Sequence, residues 1–194
     1  MSELFIGLMS GTSADSIDTV LIAISEEGIE SLGTYSHPIP EKVRTSIYES
    51  VYSKNLNLDK VNKLDTLLGE IFSEAVNKIL TQESVSSKNI KAIGSHGQTI
   101  KHCPNSNKPF SLQIGNAQLL ADLTGIRTIS DFRSDDISAG GQGAPITPLF
   151  NGHVFSSDNK RVIINIGGIT NITILNKKTS IFGYDTGPGN CLMD

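Results

Sequence analysis

The residues best suited to chemistry fall in six short clusters: SGTSADSID at 10–18, SHGQT at 95–99, DFRSDD at 131–136, AGGQGAP at 139–145, GGITN at 167–171 and DTGPGN at 185–190. In the first, Gly11 lets the backbone approach a ligand closely, and Thr12 and Ser13 add hydroxyls to the N–H groups of a turn. Asp15 and Asp18 are placed to orient a hydrated metal ion. That inventory suits a nucleotide phosphate, although a run of small residues also makes a plain hairpin turn. His96 and Gln98 follow a short apolar run, Ile90–Ser95, and ligands of open α/β sheets collect at strand carboxyl ends. A hydrogen-bonded histidine that only shapes a turn is the competing reading. Arg133 stands among Asp131, Asp135 and Asp136, a pattern shared by anion sites and by solvated, salt-bridged loops. The glycines at 140, 141 and 143 make a flexible turn ahead of a helix, without the GxxxxGK[ST] signature of a phosphate loop.

The elements that must position these clusters are legible from apolar spacing. Leu4–Met9 and Ile17–Ile24 read as two strands joined by the first turn, a β-hairpin. Gly28–His37 is a third strand, kinked at Gly33 and ended by Pro38 and Pro40. Helical spacing appears over Glu41–Tyr52 and over Leu58–Leu80, where Val61, Leu64, Leu67, Leu68, Ile71, Ala75, Val76, Ile79 and Leu80 make one stripe. Phe110–Ile114 is a strand, Asn116 caps a helix over Ala117–Thr124 that Gly125 closes, and Ile126–Ile129 is the next strand. SDFRSDD then reads as a loop, and Pro145 is placed to start a helix reaching Phe155. Past a polar break at Ser156–Lys160 the opening pattern returns. Arg161–Ile166 and Ile172–Leu175 flank the turn Gly167–Asn171, an internal repeat of strand, glycine turn and strand. Two such hairpins can clamp a phosphate chain that neither holds alone. Ser180–Tyr184 is a last strand, with Asp185 at its end before a Gly187–Pro188–Gly189 turn.

Composition narrows the class. The 194 residues are 38% hydrophobic and 19% charged, ordinary for a globular protein with a real core. A net charge of −4 without a cluster of Lys or Arg argues against nucleic acid as the partner. The amino-terminal apolar run is short and interrupted by glycine, and no basic region precedes it, so the expectation is a cytoplasmic protein with no membrane partner. Cys103 and Cys191 are far apart, with no CxxC or histidine spacing, and support neither a disulfide framework nor a zinc site.

Taken together, GLMSGTSADSID, GSHGQTIKH, LQIGNAQLLA, DFRSDDISAGGQGAP, VIINIGGITN and GYDTGPGN resemble the anhydro-N-acetylmuramic acid kinase family, of the acetate and sugar kinase/Hsp70/actin superfamily, over the whole chain. The resemblance implies an α/β, ribonuclease-H-like (actin-like ATPase) fold: a complete first domain over 1–158 and the start of a second over 159–194. It implies ATP with Mg2+, an amino-sugar substrate and a homodimer. The reaction implied is hydrolytic opening of the 1,6-anhydro ring of anhydro-N-acetylmuramic acid with phosphorylation at O6, in cell-wall recycling. By position, Gly11, Thr12, Ser13, Ala14, Asp15, Ser16, Ile17 and Asp18 match the family's phosphate segment, and Gly167 and Gly168 its second hairpin. Asp185 matches the catalytic base on the attacking water, and His96, Gln98 and Arg133 match positions near the sugar, Arg133 suited to a lactyl carboxylate. The family usually has Gly where this chain has Ser16. It also continues into a full second domain, of which this chain has one hairpin, one strand and a turn. The expectation is therefore a fragment that is not a competent kinase alone. The alternative is an inactive or binding-only half that needs a separate carboxyl-terminal half.

Overall fold

Alternation decides the first sheet. Ile6 and Leu8 on one strand and Ile17, Leu21 and Ala23 on the next all turn inward and are buried. In the computed structural model, which describes residues 2–176 and 181–192, they lie on β1 (Glu3–Ser10) and β2 (Ser16–Ser25). The two are antiparallel, with Leu8 opposite Thr19 and Ser10 opposite Ile17. β3 (Gly28–Pro38) extends the ladder antiparallel to β2, and the kink expected at Gly33 is an irregularity beside it, where Leu21 pairs Gly33 and Ile22 pairs Ser31.

Helices α1 (Glu41–Tyr52) and α2 (Leu58–Gln82) cover one face of this sheet. Asn57 starts α2 by accepting from the Lys60 amide at 3.0 Å. The buried stripe Val61, Leu64, Leu68, Ile71, Phe72, Ala75, Val76 and Ile79 seats it in the core. Truncating the fully buried Phe72 to Ala would cost about 3–5 kcal/mol. β4 (Ile90–Cys103) then returns parallel to β1, Ile93 opposite Ile6 and Ser95 opposite Leu8. Beside β4 lie β5 (Phe110–Ile114) and, after α3 (Ala117–Thr124), the short parallel strand β6 (Thr128–Ile129). The order β3-β2-β1-β4-β5, three antiparallel strands followed by a parallel crossover, is the ribonuclease-H-like arrangement.

A second, separate sheet runs β7-β8-β9, all antiparallel: β7 (Arg161–Ile166), β8 (Ile169–Leu175) and β9 (Phe182–Pro188). Ahead of it come α4 (Phe132–Ser138) and α5 (Thr147–Phe155). On one face Thr173 is buried, and its hydroxyl accepts from the Asn151 carboxamide of α5 at 2.8 Å. The other face carries Val162, Ile164, Phe182 and Tyr184, each more than half exposed. Packing divides the chain into two compact units, 1–103 with 111–131 and 104–110 with 132–194. The expected boundary after residue 158 falls within the second unit, between α5 and β7. Among the described residues no helix is long and apolar enough to cross a membrane.

Several expected elements differ from the observed ones. β4 does not end at Ser95 but continues through SHGQT to Cys103, because β1 and then β5 supply its ladder. The 126–129 strand shrinks to the two residues that pair with β4. SDFRSDD is not a loop, since Phe132–Ser138 is helical. α5 begins at Thr147 with Pro148, not Pro145, in its first turn. The second hairpin turn narrows to Gly167–Gly168, because β8 starts at Ile169. Asp185 lies inside β9 rather than at its end. The Ser180 end of that expected strand lies outside the described residues.

Candidate functional site

The first turn joins two strands whose ends are fixed by the sheet. Its Ala14 amide donates to the Gly11 carbonyl at 3.2 Å, and Ala14 holds a φ of 45°. Apart from Gly11 and its chain neighbours, no atom of the described residues lies within 4 Å of where a Cβ on Gly11 would stand, which leaves the turn open at that residue. The Ser13 hydroxyl donates to the Asp15 carboxylate at 2.7 Å and is the main cause holding the Asp15 pKa below the ordinary carboxylate value. Asp18, on the exposed face of β2, accepts from Ser36 of β3 at 2.7 Å. Ser16 and Ile17 begin β2, and Ile17 is fully buried, so it anchors the turn without facing a ligand.

Gln98 and His96 sit on a bulge. Leu8 pairs Ser95 and Ser10 pairs Gln98, so β4 spends three residues where β1 spends two. Gly97 supplies the left-handed φ of 73°, and a Cβ there would stand 2.6 Å from the Ile114 carbonyl oxygen. The bulge re-aims both neighbours. Gln98 is 2% exposed, accepts from the Ser10 hydroxyl at 2.6 Å and donates to the Thr99 carbonyl at 3.2 Å. His96 is buried with Nδ1 2.9 Å from the Gly97 carbonyl oxygen. The structure thus ties Gln98 to the residue that precedes Gly11.

In the second unit, α4 folds back on the glycine turn. The Arg133 guanidinium donates to the Gly143 carbonyl at 2.6 Å, and the Gly143 amide donates to Asp136 at 2.6 Å. Burial lowers the Arg133 pKa from its ordinary value, and the nearby Asp185 carboxylate opposes that shift. A partly desolvated guanidinium can hold an anion through charge-assisted bonds, and the neighbouring Asp185 carboxylate competes for it. Asp185 is in register with Asn171 of β8, which faces Asn165 of β7, so these three polar residues form one row across the sheet. Strand alternation puts that row on the face where Asn151 meets Thr173. The Asn171 Oδ1 is buried and has no hydrogen-bond partner among the described residues. Gly167 and Gly168 accept, through their carbonyls, from the Asn190 and Gly189 amides, both at 2.9 Å. Gly189 leaves no room for a Cβ, which would collide with the Gly167 carbonyl oxygen.

Two residues of these sites, Ser10 and Asn171, fall inside the sequence clusters without a role of their own, and a third, Tyr48, escaped the sequence reading. Ser10 acquires its role from its register with Gln98, which depends on the bulge. Asn171 acquires its role from the pairing of β8 with β9. Tyr48 of α1 donates to the Ser13 carbonyl at 2.7 Å. Its only sequence trace is the i, i+4 series Arg44, Tyr48, Tyr52 on one helix face.

The donors present fit a nucleotide phosphate at the first turn, where an open glycine, hydroxyls and a left-handed residue share four positions. Among the described residues no group of three or more His, Cys, Asp or Glu side chains could hold a metal. The carboxylates at the turn suit the other mode of magnesium binding, a hydrated ion carried by phosphates and met by one or two carboxylates.

Two hairpins with glycine turns, one on a β3-β2-β1-β4 sheet and one on a sheet of its own, define a chain of the ribonuclease-H-like, actin-like ATPase class. The match to known families is more specific. The family model for anhydro-N-acetylmuramic acid kinase matches residues 3–194, and the chain belongs to that family. An anhydro-N-acetylmuramic acid kinase of Photobacterium profundum is 47% identical over 193 residues, which cover 99% of this chain and 52% of that protein. One from Saccharophagus degradans is 46% identical over 196 aligned residues, 99% of this chain and 53% of that protein. The chain thus spans about half the length of the curated relatives it matches. A solved Ppx/GppA family member from Aquifex aeolicus superposes with a TM-score of 0.46 at 8% identity, covering 100% of this chain and 54% of that one.

Proposed function

We propose that this chain is the amino-terminal part of a sugar kinase that opens 1,6-anhydro-N-acetylmuramic acid and phosphorylates its O6 with ATP, in the cytoplasm, for cell-wall recycling. The observation that carries this reading is the family match over residues 3–194. ATP supplies the γ-phosphoryl group, with magnesium neutralising its charge. The turn from Gly11 to Asp18 and the Gly167–Gly168 turn bind the nucleotide phosphates through backbone N–H groups and hydroxyls. Asp15 and Asp18 meet the hydrated metal. Asp185 takes the proton of the water that attacks the anomeric carbon, and Arg133 holds the sugar's lactyl carboxylate. His96 lies near the sugar, and Gln98 acts there through Ser10, which it holds at 2.6 Å. The division at 158/159 marks the start of the second ribonuclease-H-like domain, supported by the separate β7-β8-β9 sheet. A homodimer is part of this reading through the family resemblance.

The test is ADP release in the presence of ATP, magnesium and the anhydro sugar. It compares this chain, the same chain fused to the carboxyl-terminal half of the Photobacterium profundum relative, and the fusion carrying Asp185→Asn. The expected result is sugar-dependent release by the fusion and a loss of about 10²–10⁴-fold with Asp185→Asn. Release that ignores the sugar refutes the substrate. The exposed apolar face of Val162, Ile164, Phe182 and Tyr184 favours a second reading, a half that acts only with a separate carboxyl-terminal half. Silence of the chain alone, with activity restored by adding that half as a separate protein, distinguishes it.

A further inference from the structure

Helix α1 contributes no residue to either glycine turn, yet Tyr48 reaches across 35 residues to bond the Ser13 carbonyl at 2.7 Å. That carbonyl shares a peptide unit with the Ala14 N–H, which is bonded to the Gly11 carbonyl at 3.2 Å. In a planar trans peptide the C=O and N–H point in opposite directions, so a single rigid plate is held at both ends. Ala14 needs such a hold. Its φ of 45° costs a non-glycine residue about 1–2 kcal/mol, and the side chain is fully buried and cannot swing away. Behind Tyr48 stands a cation. The Arg44 guanidinium lies 5.5 Å from the ring centroid and donates to the Tyr48 oxygen at 3.3 Å from Nη2 and 3.4 Å from Nε. A hydroxyl that accepts from a cation is a stronger donor, so Arg44 to Tyr48 to Ser13 is a polarised chain ending on the turn backbone.

We propose that Tyr48, backed by Arg44, is a positioning residue for anion binding: it locks the Ser13–Ala14 peptide so that the turn's N–H groups converge on a phosphate oxygen. The proposal rests on reading this turn as a phosphate site and adds the device that keeps it in its binding shape. A purely structural Tyr48 would lower stability without changing anion affinity. Preorganisation predicts the reverse, because a turn free to relax must be reordered each time an anion binds.

The experiment uses the 194-residue chain with inorganic tripolyphosphate as the probe, followed by amide NMR, together with exchange of the Ala14 amide with deuterium. Tyr48→Phe keeps the ring and removes the hydroxyl. The expected result is Ala14 exchange faster by about tenfold and tripolyphosphate affinity weaker by about five- to tenfold, with the melting temperature within about 4 °C. Arg44→Met, on the exposed helix face, is expected to weaken affinity about two- to threefold in the same direction and serves if Tyr48→Phe folds poorly. Tripolyphosphate binding that Tyr48→Phe and Arg44→Met both leave unchanged, or Ala14 exchange that Tyr48→Phe leaves unchanged, overturns the inference alone. No binding by the unaltered chain overturns the phosphate reading of the turn and the inference with it.

Discussion

Ser10 and Gln98 allow a sharp test of how the first turn is joined to β4. Both are 2% exposed, and the Ser10 hydroxyl donates to the Gln98 Oε1 at 2.6 Å. Ser10→Ala removes the donor and strands the Gln98 Oε1 in the core, a loss of about 1–3 kcal/mol. Gln98→Leu strands the Ser10 hydroxyl instead and also releases the Thr99 carbonyl, at a similar cost. The double variant leaves neither member of the pair orphaned and replaces it with apolar volume, with the released Thr99 carbonyl as its remaining loss, so it is expected about 1 kcal/mol below the unaltered chain. The two single losses sum to about 4 kcal/mol against about 1 for the double, a coupling of about 3 kcal/mol at the upper end of what contacting residues show. Urea unfolding of the four proteins measures it, since at an unchanged slope each loss of stability lowers the midpoint in proportion. Single losses that simply add, within about 0.5 kcal/mol, refute the reasoning. They would mean that the bulge at Gly97, rather than this bond, joins the turn to β4.

Two further outcomes are expected. Lys101 of β4 donates to the Val51 and Ser53 carbonyls at 2.6 and 2.9 Å, which closes the carboxyl end of α1 where that helix has no basic residue of its own. Lys101→Met is therefore expected to cost about 2 kcal/mol in urea unfolding, while Lys91→Met, which breaks the exposed pair with Glu3, costs under about 0.5; equal losses would remove the capping role. The pH dependence follows from Asp15. Its carboxyl pKa is lower in the fold than in the unfolded chain, chiefly through Ser13, so its stabilisation is full above the unfolded value near 4 and is lost as pH falls through the folded value. Ser13→Ala is expected to flatten the loss of stability between about pH 5 and pH 2 in urea midpoints; an unchanged acid limb would show that Ser13 does not hold that carboxylate.

Apolar spacing makes much of this fold legible because the core imposes it. The stripe on α2, the apolar runs of β1 and β2, and the local caps at Asn116 and Gly125 are all written within a few residues of where they act. The clusters at 10–18, 95–99, 131–136 and 167–190 are legible too, since glycine, hydroxyl and carboxylate residues gather there. What those residues touch is not, because it depends on partners far along the chain. Ser10 meets Gln98 88 residues away, and Tyr48 meets Ser13 35 residues away.

Strand ends are hidden for a related reason: a strand runs as far as a neighbour offers a ladder, whatever its own residues prefer. SHGQT, with a glycine and a histidine, reads as the turn after β4, yet β1 and β5 hold it in the sheet and the left-handed Gly97 absorbs the extra residue as a bulge. The same logic carries β9 through Gly187 to Pro188. β8 pairs it as far as Ile169 opposite Pro188, and the irregularity between Thr170 and Asn171 lets the Thr186 hydroxyl bond the Thr170 carbonyl at 3.0 Å. That extension moves Asp185 from the expected strand end to a position beside Asn171, in a polar row on the face that α5 meets. A carboxylate at a free strand end is aimed by a loop. One in the body of a sheet is aimed by the ladder, beside an Asn171 acceptor without a partner among the described residues, and such rigid aim is what the role proposed for Asp185 requires.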